Sequence, residues 1–66
     1  MSVAKTVELT SRSDESFDDA IRKGVAKASE TIQGLKQAWV MNQKVILDGA
    51  QISAYQVDLR VTFVVN

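Results

Sequence analysis

The stretch AYQVDLRVTFVV, residues 54–65, decides the fold because it alternates as one long strand. Extended back to Gln51, this strand would span roughly 50 Å, well beyond the roughly 18 Å of an ordinary strand. Its odd positions make a continuous apolar face: Tyr55, Val57, Leu59, Val61, Phe63 and Val65. Its even positions make a second, mixed face: Ala54, Gln56, Asp58, Arg60 and Thr62. We expect the apolar face to meet a helix and the mixed face to remain open.

A shorter strand and the start of a helix are predicted upstream. Residues 4–10 alternate in polarity, and Lys5 is the exception on an otherwise apolar face. The segment SRSDESFDD follows, in which Ser16 and Asp19 have the spacing of a helix-capping box. We therefore expect the helix to begin between Ser13 and Ser16.

The helix carries one apolar stripe that predicts packing on a sheet. The stripe consists of Phe17, Ala20, Ile21, Gly24, Ala28, Thr31, Ile32 and Leu35. Gly34 is expected to end this helix after about 22 residues, roughly 33 Å. The run AWVMNQKVIL, residues 38–47, predicts another strand, and Asp48 with Gly49 is a tight-turn signal that joins it to the long strand. The order is strand, helix, strand, strand.

Size and composition point to self-association. A chain of 66 residues is one domain, residues 1–66, and buries only about 60% of the surface that its unfolded form exposes. It has no Cys and no His, which leaves association as the means of stabilising a small core. Eight basic and eight acidic residues cancel, so we expect no nucleic-acid partner. No export leader or apolar span is visible, so we expect a soluble cytoplasmic protein without a membrane partner.

Trp39 bears on what covers the mixed face. If Ala38, Val40 and Ile46 turn toward the helix, alternation places Trp39 on the open face with Gln37, Met41 and Gln43. The opposite parity, with Trp39 in the core, would follow from a bulge in this strand. An exposed indole is typical of interfaces and aromatic ligand sites, so a partner is expected on this face.

Catalytic chemistry has no basis in this sequence. There is no His, no Cys and no Gly-rich phosphate loop, so we predict that the protein is not an enzyme and has no catalytic residues. The acidic cluster at the helix start could attract Ca²⁺, but it is more typical of charge that complements the helix dipole, so we predict no metal site. The cluster consists of Asp14, Glu15, Asp18 and Asp19. Asp58 and Arg60 are expected to pair with neighbouring protomers.

The patterns ELTSRSDESFDDAI, VILDG and YQV.L.VTF, in this order and spacing, resemble the dodecin family over residues 6–65. The resemblance implies an α+β protomer of β-α-β-β order, in which a three-stranded antiparallel sheet wraps around the helix. It also implies that twelve protomers form a hollow homododecamer. Neighbouring protomers would then cover the long strand.

The resemblance further implies a flavin, riboflavin or FMN, stored between tryptophans of symmetry-related protomers. Gln56 matches the family's ring-binding glutamine, and Lys44 falls at a basic position found in some bacterial members. The family's stacking tryptophan falls on Gln37, whereas Trp39 lies two residues later on the same strand face. The alternative is a flavin-free shell that binds another small ligand or ion, such as coenzyme A or calcium. Gln56 could equally make a buried hydrogen bond between subunits, and Lys44 could be an exposed strand lysine.

Overall fold

The computed structural model describes residues 3–65 and contains one sheet and one helix. The elements are β1 (Val3–Ser13), α1 (Phe17–Ser29), β2 (Leu35–Asp48) and β3 (Gln51–Val65). The sheet order is β1-β3-β2 with both pairings antiparallel, so the long strand is central. This confirms the predicted β-α-β-β order and three-stranded antiparallel sheet. No helix in this part of the chain is long and apolar enough to cross a membrane.

The alternation predicted for β3 is confirmed. Val57, Leu59 and Val61 are completely buried, and together with Ala20 of α1 they form the centre of the core. The helix packs mainly on β1 and β3. At one end of the core Phe17 meets Tyr55 edge to face, with ring centroids 5.1 Å apart. The odd positions of β3 therefore face the helix, and the even positions lie on the opposite side of the sheet.

The predicted start of the helix is also confirmed. Ser16 is the N-cap, and its hydroxyl accepts the backbone N–H of Asp19 at 2.9 Å. The reciprocal half of a capping box is absent, because the Asp19 carboxylate instead accepts the Ser13 hydroxyl at 2.6 Å. The same carboxylate lies 2.9 Å from the Lys23 ammonium group. Asp19 thus ties the end of β1 to the first two turns of the helix.

We expect Asp19 to make stability depend on pH. The Ser13 hydroxyl, and after it Lys23, hold the pKa of the Asp19 carboxyl below its usual 3.8. A depressed folded-state pKa contributes stability that is present above 3.8 and is lost as the pH falls through the folded value. Asp19→Asn should therefore lower the thermal midpoint at neutral pH, and the difference from wild type should shrink in acid. Thermal unfolding at fixed protomer concentration tests this.

Asp18→Asn is the matched control for that measurement. Asp18 lies in the same helical turn and pairs with Arg22, but its side chain is 69% exposed. An exposed pair of this kind contributes little, so the control should stay close to wild type at both pH values. A difference for Asp19→Asn that persists unchanged in acid would contradict the charge-based explanation.

The helix is shorter than predicted. It ends at Ser29 after 13 residues, so the expected length of about 22 residues is wrong. The backbone N–H groups of Thr31 and Ile32 both bond to the Ala28 carbonyl, which closes the last turn. Leu35 belongs to β2, where it pairs with Phe63. Thr31, Ile32 and Leu35 therefore follow the apolar spacing of the helix, although their backbone is not helical.

The other boundary corrections concern the strands. β1 extends to Ser13 rather than residue 10, because its ladder with β3 continues to the Ser13–Tyr55 pair. β2 begins at Leu35 rather than residue 38. The turn that joins β2 and β3 consists of Gly49 and Ala50, one residue beyond the predicted Asp48-Gly49. Gly49 has φ 64°, which fits the first central position of a type II′ hairpin turn.

Candidate functional site

The side of the sheet away from the helix, called the open face below, contains four rows that span all three strands. Cross-strand partners point to the same side, so each row takes one residue from β1, one from β3 and one from β2. In order, the rows are Thr6–Thr62–Gln37, Glu8–Arg60–Trp39, Thr10–Asp58–Asn42 and Arg12–Gln56–Lys44. Successive rows lie about 6.6 Å apart, two residues along a strand.

A bulge in β2 decides which side chains reach the open face. The register shifts between Val40 and Asn42 and leaves Met41 without a partner. Trp39 precedes the bulge and keeps the predicted open-face side. Beyond the bulge the alternation reverses, so Lys44 turns to the open face while Gln43 pairs with a core-facing residue of β3.

Two predicted orientations are therefore wrong. Gln43 was expected on the open face, but it is the partner of Val57, whose side chain lies in the core. Ile46 was expected to face the helix, but its partner is Ala54, an even position of β3. In both cases one extra residue in β2 inverts the alternation. No glycine marks this bulge in the sequence, so the alternation rule could not locate it.

The side chain of Trp39 is largely exposed on the open face. Its exposed fraction is 63%, the largest among the exposed large apolar side chains of residues 3–65. Its cross-strand partner is Arg60, whose Nε and Nη2 donate to Glu8 Oε1 at 3.2 and 2.7 Å. The guanidinium is therefore held toward β1, and no cation–π or aromatic partner contacts the indole in the described chain. The indole is available to another ring.

Gln56 is fixed by a hydrogen bond within the chain. It is 8% exposed, and its Oε1 accepts Arg12 Nε at 2.8 Å. Because arginine can only donate, this contact sets the amide orientation and directs the amide nitrogen elsewhere. No buried side-chain nitrogen or oxygen of the described residues lacks a partner, so this nitrogen keeps access to solvent. It remains a donor for a ligand, and exposed Lys44 lies opposite it on β2.

The four sequence-predicted site residues fall into two groups. Lys44 and Gln56 share one row, whereas Trp39 lies two rows away, about 13 Å along the strand, and Gln37 one row further. Within one protomer the indole and the Gln56 amide are therefore not in contact. A planar ring stacked on Trp39 would meet a nearby Gln56 amide only if a second protomer supplied it.

A cavity of 430 Å³ lies between these two groups. Its polar lining comes from Glu8, Thr10, Asn42, Asp58 and Arg60, with Met41 at the bulge. Asp58 and Arg60 both have partners within the chain, and their pairing with neighbouring protomers stays a prediction. Thr10 Oγ1 donates to Asp58 Oδ1 at 2.9 Å, and Arg60 binds Glu8. The alternation of β1 could have indicated these contacts, because it places Glu8 and Thr10 on the same face of the strand.

The acidic helix start does not form a metal cluster in one protomer. Asp18 pairs with Arg22 at 3.0 Å, and Asp19 pairs with Lys23. Across residues 3–65 no three acidic side chains converge in a way that could hold a metal ion. These carboxylates lie at the positive end of the helix dipole and partner basic residues one turn later.

Solved structures of dodecins resemble this chain along nearly its whole length. A point variant of the Thermus thermophilus dodecin is 32% identical, with a TM-score of 0.94 over 100% of this chain and 98% of that one. A dodecin from Streptomyces davaonensis is 29% identical, with a TM-score of 0.92 over 98% and 96%. The calcium dodecin of Mycobacterium tuberculosis, described as calcium chelating, is 26% identical, with a TM-score of 0.83 over 92% and 87%.

The family assignment rests on sequence as well as on structure. No curated relative matches the chain significantly. The family model for dodecin, however, matches residues 3–66. This range includes all four secondary-structure elements and every residue of the open face. The chain belongs to the dodecin family.

Proposed function

We propose that this protein assembles into a hollow homododecamer that stores and buffers a flavin, riboflavin or FMN, against the open face of its sheet. The observation that carries the proposal is the free indole of Trp39 on a sheet face that no element of the described chain covers. Dodecins are binding and storage proteins rather than enzymes. Storage needs a stacking surface and hydrogen-bond donors but no catalytic group.

Self-association is supported by what one protomer leaves uncovered. Among residues 3–65, the buried apolar side chains are those of Ala20, Ala28, Val57, Leu59 and Val61. Large apolar side chains remain exposed on all three strands: Val3, Val7, Trp39, Met41, Val45, Leu47, Ile52 and Val65. Both outer strands, β1 and β2, also have one unpaired edge in the protomer. Apolar burial at about 25 cal/mol per Å² would stabilise an assembly that covers these surfaces.

Three of the four predicted site residues have a role in the proposed flavin complex. Trp39 would stack on the isoalloxazine ring, and the free amide nitrogen of Gln56 would donate to a ring carbonyl. Lys44 would pair with the phosphate of FMN. Because Trp39 and Gln56 lie about 13 Å apart in one protomer, the complete site would combine residues of two protomers.

A fluorescence titration of the purified assembly with riboflavin and FMN tests the proposal. We expect saturable quenching of flavin and Trp39 fluorescence near one flavin per protomer, on a particle of about 88 kDa, twelve times 7.3 kDa. Trp39→Ala should weaken binding about fivefold or more, since stacking against an aromatic ring contributes about 1 kcal/mol or more. Trp39→Phe is the matched control and should retain part of the affinity. A particle of that mass without quenching would overturn flavin storage.

The second candidate is a flavin-free shell that holds another small ligand or ion, such as coenzyme A or calcium. It is favoured by Gln37, which occupies the position where the family resemblance places the stacking tryptophan. Gln37→Trp separates the two candidates. A gain of flavin affinity would show that the missing ring was the obstacle, whereas no gain would favour a pocket built for a different ligand.

A further inference from the structure

The cavity between Trp39 and Lys44 is lined by groups that suit hydroxyls. Thr10 contributes a hydroxyl, Asp58 a carboxylate and Asn42 an amide, all from one row of the open face. Asp58 Oδ1 accepts from Thr10, while Asp58 Oδ2 and the Asn42 amide make no hydrogen bond with other described side chains. Two acceptors, Asp58 Oδ2 and the Thr10 hydroxyl oxygen, therefore stand beside an amide that both donates and accepts. Hydroxyl groups, which both donate and accept, complement this set.

The charges around the cavity favour a neutral occupant. The Glu8 carboxylate forms an ion pair with Arg60 at the end of the cavity nearest Trp39. The Asp58 carboxylate, on the central strand, forms no ion pair with the described residues. The lining groups therefore carry one net negative charge. An anionic group placed within the cavity would be repelled, whereas an uncharged hydroxyl chain would not.

The dimensions match a short chain attached to a stacked ring. The cavity begins at Arg60, the cross-strand partner of Trp39, and covers the adjacent row. That row lies about 6.6 Å from the indole row. A five-carbon chain with four C–C bonds of about 1.5 Å spans roughly 5–6 Å. A ring on Trp39 would thus place such a chain over Asp58 and Asn42 and direct its far end toward Lys44.

We propose that this cavity binds the polyhydroxyl ribityl chain of the flavin, with Asp58 and Asn42 as its hydrogen-bonding residues. The inference rests on the proposed flavin storage and extends it to a second part of the ligand. Riboflavin and FMN share this chain. They differ at its far end, where Lys44 and Arg12 flank Gln56.

Lumiflavin, which has the ring without the ribityl chain, is the direct probe. On the wild-type assembly we expect riboflavin to bind about tenfold or more tightly than lumiflavin, as two ordinary hydrogen bonds would provide. Asp58→Ala and Asn42→Ala should each reduce this preference several-fold and leave lumiflavin affinity unchanged. Lys44→Met should weaken FMN alone, which separates the phosphate from the ribityl chain.

Thr62→Val is the matched control, because Thr62 lies in the row on the other side of Trp39 and bonds only to Thr6 among the described side chains. It should leave the riboflavin preference unchanged. Light scattering confirms assembly of each variant, and exposed Asn42 provides a test if Asp58→Ala fails to assemble. Equal affinity for riboflavin and lumiflavin would overturn the ribityl site and leave flavin storage standing. Binding of neither ligand would overturn both proposals.

Discussion

Replacement of Leu59 by Ala is expected to lower the free energy of unfolding by about 2–5 kcal/mol. Leu59 is completely buried at the centre of β3, where it packs with Val57 and with Ala20 of the helix. The substitution removes apolar contacts and leaves a cavity that a sheet paired on both sides can close only in part. A domain of this size has a total stability of only about 3–10 kcal/mol, so the variant should fold poorly unless it is assembled.

Denaturant unfolding at fixed protomer concentration measures this effect, because assembly makes the apparent stability depend on concentration. Leu59→Met is the matched control, since it conserves volume and should cost less than about 1.5 kcal/mol. If Leu59→Ala were as stable as Leu59→Met, the core would not be centred on this residue.

Gly24→Val should also be strongly destabilising, by about 1–3 kcal/mol or more. A Cβ atom built on Gly24 would lie 2.8 Å from Leu59 Cδ1, 3.0 Å from Ser11 Cβ and 3.2 Å from Leu9 Cδ1. All three atoms belong to strands packed directly under the helix, so the helix would have to move outward. Even Gly24→Ala meets this obstacle, which opposes its gain of up to about 1 kcal/mol in helix propensity.

Ala26→Val is the matched control for Gly24→Val. Ala26 lies half a turn further along the same helix at an exposed position, where valine should cost at most about 0.7 kcal/mol in helix propensity. A double mutant tests the mechanism, because Leu59→Val shortens the side chain that Gly24 touches. Gly24→Ala should then cost less in the Leu59→Val background than in wild type, with a coupling of about 0.5–3 kcal/mol. Purely additive effects would contradict the close approach.

The elements that the sequence predicted well are those specified by local chemistry. The alternation of β3 needs only the period of two along a strand, and it correctly separated Leu59 from Arg60. The N-cap needs only a hydroxyl three residues before an N–H donor, and Ser16 with Asp19 meets that condition. Gly24 falls inside the predicted apolar stripe, and the structure packs it directly against Leu59.

The helix length was mispredicted because apolar spacing does not distinguish a helical residue from one that merely covers the same core. Ile32 and Leu35 continue the spacing of the stripe, yet the chain turns after Ser29, and Leu35 pairs with Phe63. The ladder with β3 holds Leu35 in a strand, and no local sequence pattern reveals the backbone hydrogen bonds that this ladder provides.

For the candidate site, the sequence by itself determined that Gln56 lies on the mixed face of β3, whereas for Trp39 it left two alternatives, of which the structure shows the open-face one. Only the tertiary structure decided that Lys44 joins them. One extra residue at Met41 reverses the alternation of β2, and that bulge depends on how two strands pair along their length rather than on the residues of either one. The cavity that we assign to the ribityl chain has the same origin, since its three walls come from three strands that only the folded sheet aligns.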